Sequence, residues 1–227
     1  MSGRKANTNM SGLWKIDFHT HTNFSKDSLA QLEDLIRAHQ CGLDRLVITD
    51  HNTIAGALAA QKLDPKRIIV GEEIITTSGE ILAVYVNEEV PPGLSPRETI
   101  KCLRDQGAFV SIAHPFDTWR SGHWELEDLL EIALLVDAIE VFNARCMRPG
   151  ANRLAMEFAR ENNLPGTAGS DAHTAFEVGR ACLDLPQFEG AAGLRAVIRQ
   201  GRVVGRPSPF WVHFASRYAR LRKKVGV

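Results

Sequence analysis

Short β-rich runs alternate with helical patterns along most of the chain, and no other feature constrains the fold as strongly. The runs are Lys15–Phe18, Arg45–Thr49, Arg67–Val70, Ile81–Val86, Phe109–Ala113, Ala138–Phe142 and a short one at Gly166–Ala168. Between them, Ser28-Leu-Ala-Gln31 reads as a capping box ahead of Leu32, Leu35, Ile36 and His39 at helical spacing, with Gly42 as a stop. Ser95-Pro-Arg-Glu98 reads as a second box with proline at the first helical position, and Gly107 closes that helix. Leu126–Leu135 and Asn152–Arg160 are two further apolar-striped helices. This order predicts a mainly parallel sheet, open or closed. One connection departs from it. Only Thr76–Glu80 separate Ile75 from Ile81, too few for a crossover helix, so those strands are expected to form an antiparallel hairpin. The expected architecture is therefore α/β, a distorted (β/α)7 barrel.

The 227 residues suit a single barrel, and 44% hydrophobic content is enough for its core. Residues 13–209 are expected to form the barrel domain, after a flexible polar segment at 1–12. A proline-containing linker, Gly205-Arg-Pro-Ser-Pro209, leads to a basic tail helix within 210–227. Lys plus Arg and Asp plus Glu are both 27, which argues against a general polyanion binder. Cys41, Cys102, Cys146 and Cys182 lie far apart without a Cys-x-x-Cys pair, so neither a zinc ribbon nor a disulfide scaffold is expected. The first residues lack an apolar signal core, and no stretch approaches a membrane span. A soluble cytoplasmic protein without a membrane partner is the expectation.

Chemistry concentrates at the strand ends. Asp17-Phe-His19-Thr-His21, Thr49-Asp50-His51, Glu72-Glu73, His114-Pro115 and Gly169-Ser-Asp171-Ala-His173 all follow expected strands. A parallel barrel gathers such ends on one face. Imidazoles beside carboxylates suit zinc, manganese or iron better than the all-oxygen shells of magnesium and calcium. Histidines that merely cap separate strands would leave the shared face unexplained. No Gly-x-x-x-x-Gly-Lys-Ser/Thr or Gly-x-Gly-x-x-Gly element supports a nucleotide cofactor.

Five motifs in order resemble the PHP (polymerase and histidinol phosphatase) domain family. They are Asp17-Phe-His-Thr-His-Thr-Asn-Phe-Ser25, Ile48-Thr-Asp-His-Asn-Thr53, Gly71-Glu-Glu-Ile74, Ile112-Ala-His-Pro115 and Gly169-Ser-Asp-Ala-His173. The resemblance implies a distorted seven-stranded barrel with two or three divalent ions that cleaves phosphate esters. It makes His19, His21, His51, Glu73, His114, Asp171 and His173 the metal ligands, with Glu73 preferred to Glu72 as the bridging carboxylate. Glu73, Asp171 and His173 are also the residues whose loss should stop turnover. Asp27 matches less directly, because Lys26 intervenes after Ser25 and the loop carries one extra residue. Glu80 stands where many members have histidine. Either its carboxylate replaces that ligand, or it is a solvated turn residue and two ions bind instead of three. The insertion that some members carry ahead of Ile112-Ala-His-Pro115 is missing, which predicts a more open site.

Arg145, and less strongly Lys26 and Arg120, are candidates for holding a substrate phosphate. Asp50 is expected to orient a ligand histidine, and Cys146 to pack rather than coordinate. His39, His123 and His213 receive no role. The expected substrate is a small phosphomonoester or nucleotide. The alternatives are an exonuclease or phosphodiesterase on short nucleic acid, a regulatory module with an idle metal site, and a barrel amidohydrolase. Arg217, Arg220, Arg222, Lys223 and Lys224 of the tail would be either a solvated helix face or a nucleic-acid contact.

Overall fold

The structure, a computed structural model, describes residues 12–39 and 42–225. The polar segment through residue 11 and Cys41 lie outside the described residues. Nine strands and seven helices are described, β1 (Leu13–Asp17), α1 (Leu32–His39), β2 (Arg45–Ile48), α2 (Ala55–Leu63), β3 (Ile68–Ile75), β4 (Glu80–Val84), α3 (Pro96–Asp105) and β5 (Phe109–Ile112) forming the first half. The second half is α4 (Leu126–Ile132), β6 (Ala138–Asn143), α5 (Ala151–Glu161), β7 (Gly166–Gly169), β8 (Ala181–Pro186), α6 (Gly190–Val197), β9 (Arg202–Gly205) and α7 (Val212–Lys224).

One sheet runs in the order β7-β6-β5-β4-β3-β2-β1-β8-β9. The expected hairpin is present: β3 pairs antiparallel with β4 from Gly71↔Val84 to Ile75↔Glu80. The sheet then curls until its first seven strands nearly close. Phe18 N donates to Ala168 O at 3.2 Å, His21 N to Ala172 O at 2.8 Å, and Asp171 N to His19 O at 2.7 Å. Closure here requires Gly169, because a Cβ at that position would stand 2.2 Å from the Cβ of His19. The result is a distorted, nearly closed α/β barrel.

Two strands lie beyond the expected seven. β8 pairs antiparallel with β1 from Leu13↔Pro186 to Ile16↔Leu183, and β9 pairs antiparallel with β8. Gly205, expected to open the linker, is instead the last residue of β9.

Alternation along the strands sorts side chains between two apolar layers. Ile16, Phe18, Val47, Ile69, Val84, Phe109, Ala138 and Ala168 fill the barrel, closed off by Phe188, by Leu194 of α6 and by Ile198. Leu46, Ile48, Ile68, Val70, Val110, Ile112, Ile139 and Val141 face outward against residues such as Ala57, Leu103, Leu129 and Phe158 of the surrounding helices.

The Ser95 capping box holds: its side chain accepts from Glu98 N while the Glu98 carboxylate takes Ser95 N. The Ser28 box does not. α1 begins only at Leu32, and the Ser28 hydroxyl donates to His173 O at 3.0 Å and contacts His21 O at 3.3 Å. A long-range contact has captured the side chain that local pattern assigned to a helix end.

Candidate metal centre

Alternation also decides between the paired glutamates of β3. Glu73 shares parity with Ile69 and points into the barrel, whereas Glu72 shares parity with Ile68 and Val70 and points out, accepting from Val90 N at 3.1 Å. Glu73 becomes the hub. Its carboxylate lies 3.0 Å from His114 Nε2, 3.1 Å from His51 Nδ1, and 3.3 Å from the Nε2 atoms of both His19 and His21. The extended chain after β1 points His19 and His21 the same way, their Nε2 atoms 3.1 Å apart, while Thr20 between them donates to Val47 O.

Asp171 contributes a carboxylate oxygen 3.4 Å from His21 Nε2 and 3.8 Å from His19 Nε2. Asp27, despite the extra residue in its loop, reaches the same cluster, 3.3 Å from His173 Nε2 and 3.4 Å from His51 Nε2. Glu80 does too. Its carbonyl accepts from Ala113 N and Trp124 Nε1, and its buried carboxylate stands 3.3 Å from His114 Nε2 and 3.8 Å from His51 Nδ1. All nine residues named as ligands from sequence therefore converge. Two of them hold strained backbone: φ is +55° at Asp171 and +22° at His114.

Four overlapping groups could each hold an ion: His21/His51/His173, His19/Glu73/His114, His19/His21/Asp171 and His51/Glu73/Glu80, with ligand atoms within 4.8 Å of one another. The donor atoms fit this use. Asp27 Oδ1, His51 Nδ1 and Asp171 Oδ1 are buried without a hydrogen-bond partner, an expensive condition unless an electrophile occupies the centre. Imidazole nitrogens mixed with carboxylates suit several metal ions held together.

Electrostatics agree. Burial disfavours ionised Glu73, yet His19 and His51 outweigh it and hold its carboxyl well below the usual range. Burial pulls the His51 imidazole down, but Glu73, Asp27 and Glu80 outweigh it and push it up to about 9. Without ions, protons balance the carboxylates there. His173 goes the other way, to about 3, through burial with Arg145 and His21 nearby, which leaves it neutral with a lone pair to donate.

A second ring of contacts holds the donors. Glu140 takes His19 Nδ1 at 3.1 Å and His114 N at 2.9 Å. Asp17 accepts from Ser170 N, Ser170 Oγ and Gly179 N, tying β1 to the loop that carries Asp171. Glu177 accepts from His173 N, and Asp117 holds Arg120, Met147 N and Arg148 N. None of these four supporting roles was assigned from sequence. Glu140 had a legible signal, as a lone charge in the apolar run Ala138–Phe142 with the inward parity of Ala138. Asp50, expected to orient a histidine, instead accepts from Thr22 N and Oγ1 at 2.6 Å each, fixing the turn after His21.

The three cations assigned to phosphate fare differently. Arg120 pairs with Asp171 at 2.7 Å and lines a cavity of about 560 Å³ above the cluster. Arg145 is buried and committed to Val212 O at 2.9 Å, Ser216 Oγ at 2.8 Å and Glu177 at 3.1 Å. Lys26 is exposed and does not line the cavity. Cys146 packs half-buried beside Arg120, its thiol pushed up by burial, as expected of a non-ligand. The site is also less open than expected, because α7 lies over it. Arg220 pairs with Asp27 at 3.0 Å, Lys223 donates to Asn23 O and Ser25 O, and His213, given no role from sequence, lines the cavity.

Comparison with known proteins agrees with this geometry. The model of the PHP domain matches residues 17–88 and that of the PHP-associated region matches 149–203. An uncharacterised protein of Methanocaldococcus jannaschii is 35% identical over 144 residues, 57% of this chain and 82% of the relative. The chain belongs to the PHP domain family. Among solved structures, a two-domain protein of Bacteroides vulgatus containing a predicted PHP-like metal-dependent phosphoesterase superposes with a TM-score of 0.69 at 20% identity, over 90% of this chain and 70% of that one. PsfC of Pseudomonas syringae superposes with a TM-score of 0.68 at 18% identity, over 92% and 98%. These likenesses show the fold of a PHP domain. Among the described residues no helix is long and apolar enough to cross a membrane.

Proposed function

We propose that this PHP domain is a metal-dependent phosphoesterase acting on a small phosphomonoester or nucleotide. The observation that carries the reading is the convergence of five histidines and four carboxylates at one barrel mouth, opening into a cavity whose other charged lining is four arginines, Arg120, Arg145, Arg217 and Arg220. Divalent ions at such a centre supply Lewis-acid polarisation of a phosphoryl oxygen and acidify water at neutral pH.

The chain's own residues do the rest. Glu73, facing His19, His21, His51 and His114 together, joins the two halves of the ligand set. Glu140 fixes the His19 ring by its Nδ1, which leaves Nε2 toward the centre, and the Asp171 carbonyl does the same for His173 at 2.8 Å. Arg120 orients Asp171 and stands at the cavity wall, where its guanidinium offsets phosphate charge. Asp27, Glu80 and His173 form the floor that a bound ester meets.

The test is to strip the protein of metal, reload it with zinc, manganese or iron, and follow phosphate release from a panel of phosphomonoesters, nucleotides and short DNA. Glu73→Gln should lose bound metal and at least about 10³-fold in kcat/KM together, with its circular dichroism unchanged. Full turnover by Glu73→Gln with metal still bound would remove Glu73 from its role. A loaded wild type inert toward every ester would remove the activity.

A further inference from the structure

α7 was read from sequence as a tail, yet it is fastened at both ends across the mouth of the barrel. At its start, the Arg145 guanidinium grips Val212 O and Ser216 Oγ while Glu177 braces it from behind. Near its end, Lys223 donates to the carbonyls of Asn23 and Ser25, in the loop that carries Asp27. The helix contains no acidic residue. Between the fasteners it presents His213, Phe214, Arg217 and Arg220 to the cavity above Asp27, Glu80 and His173.

Two properties of that lining call for a ligand. Arg217 has no ion pair or hydrogen bond among the described residues, although it lines a cavity beside the candidate metal ligands. Phe214 and Trp119, which line the same cavity, are 60% and 62% exposed, so large aromatic faces remain open to solvent. A volume of about 560 Å³ falls in the range of pockets that enclose an organic molecule, well beyond one phosphate ion. Aromatic faces gain from covering a flat unsaturated group, and a guanidinium unpaired by protein gains from an oxyanion.

We propose that α7 is the substrate-recognition element of this site, Arg217 taking an anionic oxygen of the ester and Phe214 with Trp119 taking a planar ring of its alcohol. The substrate class is then a phosphomonoester of a ring-bearing alcohol. The proposal deepens the phosphoesterase reading and rests on it for the word substrate. Arg145 acts through α7 as a positioning residue and leaves the phosphate to other cations.

Binding tests the proposal independently of turnover. Calorimetry on the metal-loaded protein should show phenylphosphonate binding about tenfold more tightly than methylphosphonate. Phe214→Ala should erase most of that preference, and Arg217→Gln should weaken both ligands about tenfold, with metal content and melting temperature unchanged in each variant. In steady-state kinetics the same variants should raise KM for phenyl phosphate with kcat held within about threefold, while Phe214→Ala leaves KM for glycerol 3-phosphate nearly unmoved. Equal binding of the two phosphonates by wild type, a preference that survives Phe214→Ala, or no binding of either would overturn the proposal. A protein that discriminates between phosphonates and hydrolyses nothing would keep the recognition role and remove the esterase reading. An active protein without discrimination would do the reverse.

Discussion

The two ends of this barrel are built from the same strands and solve opposite problems. At the lower end Ile16, Val47, Ile69, Phe109 and Ala138 meet Leu194 of α6 and the following Ile198, so the interior is closed by apolar contact alone. At the upper end His19, His21, His51, Glu73 and His114 take the interior positions, and the helix laid across them, α7, holds on through arginine and lysine contacts to carbonyls and a carboxylate. The lower plug expels water and supplies stability. The upper end keeps buried donors without partners, left-handed backbone at Asp171, and a cavity, each of which costs stability. The difference teaches that the centre is affordable because the other end of the same strands is dry.

Breaking the lower end should therefore leave the upper one intact in every molecule that still folds. Phe109→Ala removes a fully buried ring from the plug, at the start of β5, whose other end leads into His114 two residues on. Denaturant unfolding should show a loss of about 3–5 kcal/mol. Metal stoichiometry and KM, measured under conditions where the variant is folded, should match wild type. A Phe109→Ala protein of normal stability but weakened metal binding would show that the two ends are mechanically one.

Much of the upper end was legible because strand polarity and alternation are local rules. A residue that ends a strand of a parallel barrel has few other places to be, so His19, His51, His114 and Asp171 could be placed by position, while Glu73 was preferred to Glu72 only on the family pattern. The Thr76–Glu80 connection was short enough to force a hairpin, and that hairpin returns Glu80 to the centre. What sequence left open depends on partners far away along the chain. Glu140 and His19 are 121 residues apart, Asp17 and Ser170 are 153, and Lys223 and Asn23 are 200. β8 was hidden for a related reason. Its acidic Asp184 and terminal Pro186 weaken the strand pattern, but pairing with Lys15 and Arg202 satisfies the carboxylate. Arg145 shows the reverse error. A loop arginine beside the candidate metal centre invites a substrate role, and only the docked helix reveals that its Nη2 is held by Val212 O and Ser216 Oγ.

Glu72 and Glu73 sharpen the comparison within two adjacent residues, since the outward one is buried without a cation. Burial, and to a lesser degree Glu89, raise the Glu72 carboxyl to about 7, against an ordinary value of 4.5. A raised carboxyl binds its proton more tightly in the folded state than in the unfolded one. Its contribution is thus fully present below about pH 4.5 and is lost as pH rises through about 7, a loss of up to roughly 3 kcal/mol. Glu72→Gln should flatten that segment of the stability profile between pH 5 and pH 8 while leaving metal content alone. An unchanged slope in the variant would mean that the carboxylate finds compensation inside the fold.

The smallest effects separate two serines with the same local pattern. Ser95→Ala removes an N-cap whose oxygen accepts from Glu98 N at 3.3 Å, and should cost about 1 kcal/mol of stability, with metal affinity and turnover unmoved. Ser28→Ala removes a buried hydroxyl that bonds His173 O at 3.0 Å and accepts from Ala30 N at 3.2 Å, one residue after Asp27. Its stability cost should be at least as large, because two hydrogen bonds of the hydroxyl are lost in each case and Ser28 is the buried one of the pair. Its metal affinity should also fall, by about tenfold, since the bond joins the loop of one candidate ligand to the backbone of another. Competition with a chelator reads that difference directly. Equal metal affinity in the two variants would place Ser28 with the capping residues after all, and the upper end would then hold its ligands without that tie.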